Sequence, residues 1–118
     1  MTTSILPLAK SNIAAGILEA SVHDVSAVRG SVRLIDVREP DEFRGELGHI
    51  PGAELVPLAT VERSAATWDK DQELVMVCRS GGRSGRATIA LKNMGFHKVV
   101  NMAGGMLAYN AAKLPTET

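Results

Sequence analysis

The stretch Glu73–Met94, ELVMVCRSGGRSGRATIALKNM, constrains this chain more than any other. Its apolar opening, Leu74, Val75, Met76 and Val77, reads as a buried strand. The only cysteine of the sequence, Cys78, comes next, followed by the turn Arg79-Ser80-Gly81-Gly82-Arg83-Ser84. Ala87, Ile89, Ala90, Leu91 and Met94 then recur at helical spacing, with Gly95 as the stop. The cysteine therefore sits where a strand ends and a helix begins. In open α/β sheets that carboxyl end is where ligands bind.

Two adjacent glycines let the backbone curl until successive N–H groups face one point, an anion-binding nest. The following helix adds its positive end, and Arg79, Arg83 and Arg86 add formal charge. A thiol in such a place is held as thiolate more than an ordinary cysteine is. An isolated cysteine at a strand end usually just packs. The glycines and three arginines crowded behind Cys78 argue for chemistry instead.

A length of 118 residues suits one domain with an adequate core. The formal net charge is zero, so there is no basic footprint for nucleic acid, and the arginine cluster stands against a neutral background. One cysteine cannot form an internal disulfide. One cysteine and three scattered histidines match no zinc spacing, and no metal or other cofactor is expected. No apolar run approaches the length of a membrane span. Pro7, Lys10 and Asn12 interrupt the N-terminal apolar residues, which argues against a signal peptide. The expected location is the cytoplasm.

Residues 1–20 leave two readings open: a helix capped by Ser11, or a short edge strand at Ile17–Ala20. Ser21 with Asp24 three positions on reads as a helix start, with Gly30 as its end. Ser31–Val37 reads as a buried strand, and Pro40 opens a short helix with Asp41 and Glu42 in its first turn and Phe43 as its core anchor. Gly45–Ala53 is loop, Glu54–Val56 a short strand, and Leu58–Trp68 a helical connection. Lys98–Met102 reads as another strand, Ala103-Gly104-Gly105 as a tight turn, and Met106–Ala112 as a last amphipathic helix ended by Pro115. Such alternation means parallel pairing with right-handed crossovers.

Four segments, LIDVREPDEF (Leu34–Phe43), GHIPGA (Gly48–Ala53), VMVCRSGGRS (Val75–Ser84) and Gly95–Tyr109 with its NMAGGMLAY, occur in an order that resembles a single-domain rhodanese, of the thiosulfate sulfurtransferase family. The resemblance spans about residues 21–115. It implies a rhodanese-like α/β domain over residues 21–118, with a five-stranded, mainly parallel sheet and helices on both faces. Residues 1–20 stand outside it as an extension. It also implies that Cys78 accepts sulfane sulfur and cycles through a persulfide. Arg79, Ser80, Gly81, Gly82, Arg83 and Ser84 match the loop around the outer sulfur. Asp36, Arg38 and His49 match supporting positions, read mainly as hydrogen-bonded scaffold. Tyr109 departs from the pattern, since many members carry Trp there.

The implied partners are a small anionic sulfur donor such as thiosulfate and a thiophilic acceptor: cyanide, a thiol or a protein. An alternative is a persulfide-carrier module loaded by a partner protein, with low activity on thiosulfate. Phosphatases of related architecture place five residues between Cys and Arg. Only four separate Cys78 from Arg83, which suits a bound sulfur better than a tetrahedral oxyanion.

Overall fold

A computed structural model describes residues 3–118. The strand that runs into Cys78 is Leu74–Val77 (β5), and all four of its residues are buried. Before it come Lys10–Asn12 (β1), Ile17–Ala20 (β2), Arg33–Asp36 (β3) and Glu54–Leu55 (β4); Val99–Met102 (β6) comes after. The strands form one sheet in the order β1-β2-β6-β5-β3-β4. Four of the five pairings are parallel, and only β1 runs antiparallel to β2.

The sheet thus has six strands rather than the expected five. The five parallel strands are there, and β1 is the addition. Its polar Lys10-Ser11-Asn12 carries no apolar alternation, so nothing local marks it as a strand. The helix capped by Ser11 does not form; Ile17–Ala20 is a strand, though flanked on both sides rather than at an edge. The residues ahead of β1 also reach the start of β5. Ile5 is fully buried, and its N–H, together with the Ser4 hydroxyl, donates to the Glu73 carboxylate at 2.7 and 2.8 Å.

Successive side chains of a strand point to opposite faces, and two cores result. Leu34, Val75, Val77, Val100 and Met102 pack under Val22–Val28 (α1) and Gly105–Ala111 (α5). Ile35, Leu74, Met76 and Val99 pack under Val61–Ala65 (α3) and Gly82–Asn93 (α4). Cys78 continues the second face. A short 3-10 turn, Leu58–Thr60, precedes α3, so the expected connection of Leu58–Trp68 is two pieces.

The helix starts follow the sequence chemistry. Ser21 Oγ accepts the N–H of Asp24 at 3.1 Å, capping α1. Pro40 begins the four-residue Pro40–Phe43 (α2), and the Glu39 N–H donates to Glu42 Oε1 at 3.1 Å. Phe43 is half-buried and stacks on His49 with centroids 3.7 Å apart, so it is not the core anchor expected of it. Tyr109 is fully buried in the first core, and its hydroxyl donates to the Pro115 carbonyl at 2.7 Å. No helix among the described residues is long and apolar enough to cross a membrane.

Candidate functional site

All the parallel strands deliver their carboxyl ends to one edge, where Cys78 follows β5. The N–H of Gly81 donates to Cys78 Sγ at 3.0 Å, and the Ser84 hydroxyl donates to it at 3.2 Å. Burial pushes the Cys78 thiol up. The Ser84 hydroxyl and the N–H groups of Ser84, Gly81 and Ser80 pull it down further, and the net position is below the ordinary thiol range. Donors aimed at one atom favour its charged form.

Of the two glycines, only Gly81 takes the left-handed backbone, at φ +104°; Gly82 opens α4 and faces open space. Gly81 is the residue that turns the chain from strand end to helix start. The loop is also held from below. The N–H groups of Met106 and Leu107, at the start of α5, donate to the carbonyls of Cys78 and Arg79 at 2.8 and 2.9 Å. Gly105 lies so close that a Cβ there would meet Cys78 O at 2.6 Å and Arg79 O at 2.5 Å. With the Arg79 carbonyl tied down and away, the Ser80 N–H of the same peptide plane is left on the side of the sulfur. The glycines of the last motif are therefore the floor of the cysteine loop as well as a turn.

Arg83 gives both terminal nitrogens to the Glu42 carboxylate, at 2.7 and 2.8 Å. Glu42 is held down to about 2, chiefly by that Arg83 pairing. Sequence reading passed Glu42 over as a first-turn acid of α2. Its partner lies 41 positions away, and no local signal announces such a pair. Arg79 and Arg86 are exposed.

Asp36, Arg38 and His49 belong to a second, adjoining network. Arg38 Nε and Nη2 grip Asp36 at 2.9 and 2.8 Å, and both residues are buried. Arg38 also donates to the carbonyls of Glu42 and Gly48, at 3.2 and 2.7 Å. His49 Nδ1 donates to the Phe43 carbonyl at 2.8 Å, and Nε2 lies 3.5 Å from Glu117. This network meets the cysteine loop through Glu42, whose carbonyl takes Arg38 and whose carboxylate takes Arg83.

Beside α2 is a depression of about 270 Å³ lined by Arg38, Asp41, Glu42, Glu46, Leu47 and Arg79, among others. A larger apolar groove of about 560 Å³ runs between the β1–β2 turn and α4, past Ile13, Ile17, Thr88 and Phe96. None of its lining residues belongs to the cysteine loop, so volume and chemistry lie apart here.

A family model described as a rhodanese-like domain matches residues 16–112. A Bacillus subtilis protein described as a putative sulfurtransferase, YtwF, is 42% identical over 82 residues, covering 70% of this chain and 77% of its own. A second protein of that organism, described as a putative sulfur carrier protein, YrkF, is 41% identical over 76 residues, covering 64% of this chain and 40% of its own. The chain spans about half the length of several such curated relatives. Among solved structures, the human single-domain sulfurtransferase TSTD1 superposes with a TM-score of 0.71 at 25% identity, covering 79% of this chain and 95% of that one. By the matched family and the fold that carries Cys78, the chain belongs to the rhodanese-like domain family.

Proposed function

We propose that this protein transfers sulfane sulfur from thiosulfate, or a similar small anionic donor, to a thiophilic acceptor through a persulfide on Cys78. The observation that carries this reading is the convergence of the Gly81 N–H and the Ser84 hydroxyl on Cys78 Sγ. The Cys78 thiolate attacks the outer sulfur of the donor. A new S–S bond forms, the donor's S–S bond breaks, and sulfite leaves with the bonding pair. The negative charge then rests on the terminal sulfur of the persulfide, where loop amides and the start of α4 stabilise it. Cyanide or a thiolate attacks that sulfur and Cys78 leaves as thiolate.

Arg79, Ser80, Gly81, Gly82, Arg83 and Ser84 form the cradle in this reading, with Asp36, Arg38 and His49 as its support. Arg83 acts here by fixing the first turn of α4 to Glu42, since both terminal nitrogens are engaged there. The same engagement, with four residues between Cys78 and Arg83, supports sulfur transfer over phosphoryl transfer.

Intact mass after incubation with thiosulfate, followed by thiocyanate formation from cyanide, tests the proposal. The wild type is expected to gain one sulfur atom and lose it to cyanide, and Cys78→Ser to do neither. Sulfur uptake that survives Cys78→Ser overturns the assigned nucleophile. Uptake from a protein persulfide but not from thiosulfate overturns the small-donor assignment and makes the chain a carrier.

A further inference from the structure

One buried side chain of the last motif, Asn101 on β6, is not explained by the reaction or by packing. It is 2% exposed, and its Oδ1 has no hydrogen-bond partner among the described residues. A buried acceptor left unmatched is unfavourable, and an apolar residue would avoid that cost. What Asn101 provides is its amide nitrogen. Nδ2 donates to the Gly81 carbonyl at 3.2 Å and to Glu19 Oε2 at 3.0 Å. Glu19 lies on β2, and its other oxygen accepts from Asn12 Nδ2 on β1 at 3.1 Å. A chain of contacts thus runs from the N-terminal hairpin to the residue whose N–H faces the sulfur.

We propose that Asn101, oriented by Glu19, is a positioning residue that holds Gly81 so that its N–H faces the sulfur of Cys78. Gly81 has no Cβ and an unusual backbone, so its own side chain cannot select this conformation. Its carbonyl is fixed by two donors, the Gly85 N–H of α4 at 3.0 Å and Asn101 Nδ2. The helix bond fixes the start of α4. The Asn101 bond comes from the sheet and sets the loop's attitude over it. Glu19 uses the second hydrogen of the same amide group, so the Asn101 plane cannot turn without breaking both contacts. The hairpin thereby contributes to the site without touching it. The inference rests on the reading of Cys78 as the sulfur acceptor.

The test compares wild type with Asn101→Ala, Glu19→Ala, Glu19→Gln and the double alanine variant. The readouts are the pH profile of Cys78 alkylation by iodoacetamide, kcat and KM for thiosulfate, and a circular dichroism melt. The charged pair nearest the loop, Arg83 and Glu42, is left intact throughout. Asn101→Ala is expected to move the alkylation profile to higher pH, slow alkylation at neutral pH by about threefold to tenfold and lower kcat more than it raises KM. Glu19→Ala is expected to shift the same way to a smaller extent, with Glu19→Gln near wild type because it keeps an acceptor for Nδ2. The double variant is expected to match Asn101→Ala alone, as residues acting in series are not additive. Alkylation profiles of folded Asn101→Ala and Glu19→Ala that overlay the wild type overturn the proposal, as does a Glu19→Gln profile as displaced as that of Glu19→Ala. Should Asn101→Ala fail to fold, the two Glu19 variants decide alone. A wild type that takes no sulfur from thiosulfate contradicts the proposed reaction and leaves the alkylation comparison intact.

Discussion

Ser84 is fully buried and directs its hydroxyl at Cys78 Sγ, where burial alone would favour the neutral thiol. Removing that donor leaves the upward pressure of desolvation opposed by fewer groups. Ser84→Ala is therefore expected to move the pH profile of Cys78 alkylation upward and to slow alkylation at neutral pH about tenfold, the worth of one hydrogen bond to a charged atom. Stopped-flow alkylation across pH checks this, and an unmoved profile would remove Ser84 from the cradle. The donors that face Cys78 Sγ were legible in the sequence because they are contiguous with it: a strand end, a cysteine, glycines and a serine within eight positions. Glu42 and Asn101 were not, for the opposite reason. Each reaches the loop from a distant segment, and an acid in a first helical turn or an Asn in a strand carries no mark of its partner.

The four-residue α2 is too short to hold itself and is fastened from outside. Arg38 takes its Glu42 carbonyl, and Arg83 of α4 takes the Glu42 carboxylate. Because the folded-state value of Glu42 is lowered from 4.5 to about 2, this contribution is fully present above the ordinary carboxylate value and is lost as pH falls toward 2. Glu42→Gln is expected to lower unfolding free energy by about 1 kcal/mol at neutral pH, a bidentate but partly exposed pair. The deficit should shrink in acid, and urea titrations at neutral and acid pH measure it. A deficit that is constant with pH would mean the pair contributes nothing by its charge. At this scale the helices of the second half were readable to within two or three residues, since their apolar periodicity is long enough to count. The elements misread were short or polar. The three polar residues of β1 were not read as a strand at all, the four of β2 were too few to decide between the strand that forms and the helix that does not, and Phe43 found a partner in His49 rather than in the core.

The sheet order puts β2 against β6, with Leu18 opposite Val100, so residues 3–20 close one flank of the parallel core. Removing them would expose β6 as a bare parallel edge and withdraw Ile5 from the first core. The shortened chain is expected to melt lower and to appear as large species on gel filtration; equal melting temperature and size would make the segment dispensable. Ile5→Ala alone is expected to cost about 2–5 kcal/mol in urea unfolding. The same pairing has a consequence in time. Glu19 and Asn101 are 82 positions apart, and a ribosome adds about 5–20 residues each second. The hairpin therefore waits several seconds, exposed and unpartnered, before the strand it flanks has been made. Over that interval the Gly81 loop can emerge behind β5 but lacks its tether from β6, so the nascent chain carries its cysteine before it carries the contact that aims an amide at it.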